Sequence, residues 1–162
     1  ISEPVYQAMK SQSEKIGVFG HGFTYGGHPV PAAVALECLD IYAERQLPAH
    51  ADKVGARLGA GLRKLADHPL VGEVRGAGLM WGVELVADKA SKAAFPKDWK
   101  VGLGVSRQTE ANGVTARALN DSVVFAPPLI ITDSEVDLVL EAFTKGLDAS
   151  LALLREQSRF NG

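Results

Sequence analysis

Apolar positions repeat with a helical period along much of this chain and switch to a strand period twice. Residues 2 to about 15 predict one short helix, with Ser2 placed to cap it and Pro4 in its first turn. From Pro29 to about Gln46 apolar residues occur almost all round a second helix: Val30, Ala32, Ala33, Val34, Ala35, Leu36, Leu39 and Ile41. Such a pattern predicts a buried helix, with Cys38 as a small core residue. A third helix over roughly 48–67 has a narrower stripe, Val54, Leu58, Leu62 and Leu65, opposite Lys53, Arg57, Arg63 and Lys64. Gly55, Gly59 and Gly61 interrupt it, each costing about 1 kcal/mol against Ala. A close approach by another element would explain them.

Near residue 70 the period becomes that of strands. Segments 71–75 and 79–86 flank Gly76-Ala77-Gly78 as two strands. Residues 88–98 read as a polar loop and 99–112 as a helix stopped by Gly113. Segments 114–119 and 122–125 predict a second hairpin about Asn120-Asp121, ended by Pro127-Pro128. Thr132-Asp133-Ser134-Glu135 is a capping box. It opens a long last helix with Val136, Val139, Leu140, Phe143, Leu147, Leu151 and Leu154 on one stripe. Paired strands with helices between the pairs predict an α+β fold, an antiparallel sheet with helices on one face.

Composition narrows the class without naming it. The 162 residues are 46% apolar and 22% charged, with 17 Lys+Arg against 19 Asp+Glu. A net charge of −2 is no footprint for nucleic acid or an anionic membrane. No apolar run approaches the ~20 residues of a membrane helix. The single cysteine excludes an internal disulfide and makes a cytoplasmic setting the expectation. Ile1 and the helix start just after it suggest a piece of something longer.

Several motifs compete for chemistry. Gly76-Ala77-Gly78-Leu79-Met80-Trp81-Gly82 leads into a strand, whereas a dinucleotide loop needs a helix N-terminus, so it reads as a hairpin. His21, His28, His50 and His68 show no metal-ligand spacing. The glycine-rich Gly22-Phe23-Thr24-Tyr25-Gly26-Gly27-His28-Pro29 is stronger. Its turn amides, the Thr24 hydroxyl and the positive end of the next helix suit an anion, and a tight turn is the plainer alternative. Arg117, between Ala116 and Ala118, can reach a pocket and grip a carboxylate. The plainer alternative pairs it with Asp121 or Glu73.

Three segments occur in order: Gly22 to Pro29 before an alanine-rich helix, Val74-Arg75-Gly76-Ala77-Gly78-Leu79-Met80-Trp81-Gly82-Val83-Glu84-Leu85, and Ala126-Pro127-Pro128-Leu129-Ile130-Ile131-Thr132. Together they resemble the C-terminal portion of a class III (omega-type) pyridoxal-phosphate aminotransferase of fold type I, over essentially the whole chain. The resemblance implies that residues 1–46 belong to the end of the large cofactor-binding domain and 47–162 to the small C-terminal domain. It implies that Phe23 and Thr24 contact the pyridoxal phosphate group across a dimer interface. It implies that Arg117 binds substrate carboxylate and swings aside for an apolar amine. Gly26 stands where a serine is common, and Asn120 where a glycine is common.

In the family, the lysine that carries the cofactor as a Schiff base and the aspartate facing the pyridine nitrogen lie upstream of these segments. None of the nine lysines here matches that position. The expectation is therefore a fragment that is inactive and binds the cofactor weakly or not at all. The helix over 29–46 would then need another cover, through a homodimer or a swapped arrangement. The reaction implied for the full enzyme moves an amino group from an amine or amino acid to a keto acid such as pyruvate. A non-catalytic remnant that only self-associates is the rival reading. An aminomutase or a decarboxylase on the same scaffold is a third, which Arg117 disfavours.

Overall fold

The computed structural model describes residues 1–160. The chain divides into two compact units, Ile1–Glu44 and Arg45–Gly162.

The first unit holds helices α1 (Glu3–Ile16) and α2 (Pro29–Glu44). Pro4 occupies the first turn of α1, and Gly17 ends it in the left-handed conformation at φ 77°. Ser2 does not cap α1 with its side chain; its carbonyl accepts from Tyr6 N–H at 3.0 Å instead. α2 departs further from expectation, since none of its residues is buried. Val30, Val34, Leu36 and Leu39 are each at least 58% exposed. Cys38 is exposed too, not a core residue. Apolar side chains cover an arc of roughly 240° of this helix, with Asp40, Glu44 and Glu37 on the remainder. The pattern for burial is present, and the cover is not.

The second unit contains α3 (Leu47–Lys64), β1 (Val71–Ala77), β2 (Met80–Leu85), α4 (Val101–Ala111), β3 (Arg117–Leu119), β4 (Ser122–Phe125) and α5 (Asp133–Glu156). A 3-10 turn at Leu65–Asp67 follows α3, and another at Lys97–Trp99 precedes α4. The strands form one antiparallel sheet in the order β1-β2-β4-β3. Register puts Val74, Val83, Val123 and Ala118 in one row, and Trp81 beside Phe125 on the same face. Val83 and Val123 are wholly buried, and Trp81 and Phe125 nearly so. They pack with Leu58 and Leu62 of α3, Val105 of α4, and Val136, Phe143 and Leu147 of α5. Phe125 and Phe143 meet edge to face at 4.9 Å.

The glycines of α3 mark close approaches. A Cβ on Gly55 would lie 2.0 Å from the Gly78 carbonyl oxygen, and one on Gly59 2.1 Å from the Trp81 indole. The helix therefore rests directly on the β1–β2 hairpin. Trp81 Nε1 donates to Gly78 O at 2.7 Å, and Arg63 lies 4.5 Å over the indole. The glycine-rich motif at 76–82 is thus a hairpin, as its position before a strand predicts.

Boundaries shift where local bonding decides them. Gly113 N–H bonds to Glu110 O at 2.9 Å and Val114 N–H to Thr109 O at 3.3 Å, a Schellman ending to α4. Val114 is drawn into that exit and Ala116 O accepts from the Ser106 hydroxyl, and β3 starts only at Arg117. The loop at 88–98 is not wholly polar, because Phe95 is buried against Trp99 and Phe160. The capping box forms as read: Glu135 N–H donates to Thr132 Oγ1, and Thr132 N–H to Glu135 Oε2 at 2.7 Å. The bond from Thr132 N–H, with a second from the Thr132 hydroxyl to Glu135 Oε2 at 2.8 Å, holds the Glu135 carboxyl below the usual carboxylate range.

Candidate functional site

Phe23 and Thr24 lie in the first unit, in a loop built of two successive turns. Gly26 N–H bonds to Phe23 O at 2.9 Å, and His28 N–H to Tyr25 O at 3.1 Å. His21 stacks edge-on between Phe19 and Phe23, at 6.0 and 5.8 Å. Phe23 itself is 81% exposed. Thr24 sits at the second position of the first turn, exposed, and its hydroxyl has no partner among the described residues.

The start of α2 supplies less than expected. Pro29 and Pro31 have no N–H, and Val30 N–H is taken by His28 Nδ1 at 3.3 Å. An anion at this loop would therefore meet Thr24 Oγ1 and the turn amides more than the helix end. An exposed hydroxyl beside turn amides fits a phosphate.

Arg117 lies in the second unit, on the edge strand β3. Pairing puts it in one row with Val124, Gly82 and Arg75 across the sheet. Leu119, Ser122, Glu84 and Glu73 form the next row on the same face. This is the face turned away from the core, and it carries two arginines roughly 14 Å apart, three strand spacings.

The two arginines differ in what holds them. Arg75 Nη1 donates to Glu84 Oε2 at 2.7 Å and lies 3.4 Å from Glu73 Oε2, which raises the guanidinium above its ordinary value. Arg117 makes no ion pair among the described residues. The plainer pairing expected from sequence is not formed. Glu73 serves Arg75, and Asp121 Oδ1 accepts from Gly102 N–H at 3.2 Å. Asn120 has φ 53°, a left-handed position that Asn tolerates better than most residues, which closes the β3–β4 turn.

A groove of about 930 Å³ opens beyond β3, between residues 112–115, 124–132 and α5, with Val114, Ala126, Ile130 and Leu138 in its wall. Neither Arg117 nor Thr24 lines it. Among the described residues no cluster of three or more metal-ligating side chains occurs, and no helix is long and apolar enough to cross a membrane. Sequence reasoning missed the Arg75–Glu84–Glu73 grouping. Its signal was the alternation of charges at 73, 75 and 84, readable only once the strand register is known.

The first unit thus presents an exposed hydroxyl in a glycine-rich turn, and the second an arginine without an ion pair among the described residues on the open face of its sheet. The family model for Aminotransferase class-III matches residues 2–147, and the chain belongs to that family. It is 39% identical over 150 residues to a probable gamma-aminobutyrate transaminase 3, mitochondrial, of Oryza sativa subsp. indica, covering 93% of this chain and 29% of that protein. Among solved structures it matches the omega transaminase from Pseudomonas jessenii in complex with PMP, with 43% identity and TM-score 0.80, covering 94% of this chain and 34% of that one. A transaminase with L-alanine matches with 47% identity and TM-score 0.81, over 95% of this chain and 36% of that one. The chain thus spans about a third of the length of the proteins it matches. Class-III aminotransferases are pyridoxal-phosphate enzymes.

Proposed function

We propose that these residues serve a pyridoxal-phosphate aminotransferase that moves an amino group between an amine or amino acid and a keto acid such as pyruvate. Residues 1–46 would close the large cofactor domain, and 47–162 form the small domain. Thr24, through its hydroxyl and the adjoining turn amide at Phe23-Thr24, holds the cofactor phosphate in the site of a partner subunit. Bound there, the cofactor acts as an electron sink for the substrate carbon. Arg117 holds the substrate carboxylate through a two-pronged hydrogen bond. The observation that carries this reading is the contrast on the open sheet face: Arg75 is neutralised by two glutamates, whereas Arg117 is left for an incoming carboxylate.

The chain by itself is expected to lack turnover, because none of its nine lysines stands at the family's cofactor-bearing position. Adding pyridoxal phosphate to the purified chain, reducing with borohydride and weighing the intact product tests this. A mass of unmodified chain and no transaminase activity is the expected result. Stoichiometric labelling of one lysine with turnover would overturn it. A second reading, that the chain also self-associates, is supported by α2, whose apolar arc is uncovered. Sedimentation at increasing concentration should show association that Leu36→Glu with Leu39→Glu reduces.

A further inference from the structure

Among the described residues the buried polar side chains are three hydroxyls: Ser106, Thr109 and Ser150. A hydroxyl inside a helix commonly bonds back to the carbonyl four residues earlier. Thr109 does so to Val105 O at 2.8 Å, and Ser150 to Gly146 O at 2.7 Å. Ser106 does not. Its Oγ leaves α4 and donates at 2.5 Å to Ala116 O, the carbonyl immediately before Arg117.

A second tie lies on the other side of Arg117. Asp121 Oδ1 accepts from Gly102 N–H at the start of α4, where a carboxylate also meets the positive end of the helix. The contact is close: a Cβ on Gly102 would fall 2.1 Å from Asn120 O. Gly102 and Ser106 are four apart and share one face of α4. The helix therefore grips the hairpin at Ala116 and again at Asp121, on either side of Arg117. β3 needs such help, being three residues long with one neighbour, β4.

We propose that Ser106 and Asp121 are positioning residues for Arg117. They fix the backbone on both sides of the arginine, so that its guanidinium starts from one place while its side chain stays free to swing. This rests on the reading of Arg117 as the carboxylate anchor. A two-pronged grip on a carboxylate tolerates an offset of only about 0.5 Å, so an anchor on a sliding edge strand would bind its acid poorly.

The test uses the full chain, isotope-labelled, as wild type and as the Ser106→Ala, Asp121→Ala, Ser150→Ala and Arg117→Met variants. Amide hydrogen exchange is measured across the sheet, and sodium pyruvate is titrated while the Arg117 Nε–H resonance, or in Arg117→Met the β3 amides, is followed. Ser106→Ala and Asp121→Ala should each speed exchange at Arg117–Leu119 by about tenfold relative to β1 and β2, the size of one lost hydrogen bond. They should also weaken the pyruvate response severalfold. Ser150→Ala removes a buried hydroxyl bonded within its own helix, so any faster exchange should spread evenly over the sheet. Uniform exchange in the Ser106 and Asp121 variants, or pyruvate affinity equal to wild type, would overturn the proposal. If the wild type gives no pyruvate response beyond that of Arg117→Met, the carboxylate reading itself falls and takes the proposal with it. That result appears without any change to Ser106 or Asp121, so the two failures are distinct.

Discussion

Helices α2 and α3 are separated by two residues, and they use their apolar side chains differently. α2 is apolar around most of its circumference and buries nothing. α3 has a narrower stripe, yet Leu47, Ala51, Val54, Gly55, Leu58, Gly59 and Leu62 are all buried. A one-sided stripe suits a helix lying on one sheet, and the β1–β2 hairpin provides that sheet. An apolar arc of roughly 240° needs neighbours on several sides, and α1 and the loop of the first unit leave every residue of α2 unburied. Hydrophobic pattern states what a helix requires; only the remainder of a fold decides whether the requirement is met.

The largest test of this contrast sets a core residue against an α2 residue. Phe143→Ala removes a wholly buried ring packed on Phe125 and should cost about 3–5 kcal/mol in urea unfolding. Leu39→Ala, at a position 60% exposed, should stay within about 0.5 kcal/mol at low protein concentration. A larger Leu39 effect that grows with concentration would show α2 covered by a second copy.

Glycines give a smaller version of the comparison. Gly59→Ala must displace the Trp81 indole and should cost about 1–3 kcal/mol. Gly22→Ala meets nothing within 4 Å and should leave the unfolding midpoint near wild type. Equal costs at the two positions would refute the close α3–hairpin approach. Helix starts come next. Thr132→Ala breaks a formed capping box and should cost about 1 kcal/mol. Ser2 makes no side-chain cap, so Ser2→Ala should be silent in the same melts.

Legibility in the sequence followed the same division. α3, α5, both hairpins and the capping box were readable because their signals are local: stripe spacing, turn residues, Thr132 with Glu135. The apolar pattern of α2 and Cys38 calls for burial that this chain does not supply, because burial depends on neighbours that a helix's own pattern does not reveal. β3 is shorter than its apolar pattern predicts, since Val114 bonds back to α4 in the Schellman exit and Ala116 O is taken by the Ser106 hydroxyl. Phe23, Thr24 and Arg117 were singled out by motif. The contrast between Arg117 and Arg75 required the register of four strands, and so did the separate employment of Asp121 and Glu73.

The smallest expected effect is a pH response confined to the second unit. His68 follows the 3-10 turn after α3, and its Nδ1 accepts from Leu70 N–H at 3.2 Å. Burial pushes the ring below its ordinary value of 6.5, and the charges of Lys89 and Arg155 push the same way, while Asp148, 3.5 Å from Nε2, opposes them. Protonation would also end the bond from Leu70, because an imidazolium has no acceptor nitrogen. The folded state thus binds this proton less readily than the unfolded chain does. Its contribution to stability is present above about pH 6.5 and is lost as pH falls from there through the folded value. Urea midpoints taken at intervals from pH 7.5 to 5 should therefore decline in the wild type, and decline less in His68→Gln. Parallel curves for the two proteins would mean that the decline does not come from His68; a carboxylate such as Asp137, held low by the Arg57 guanidinium, loses its contribution only below about pH 5.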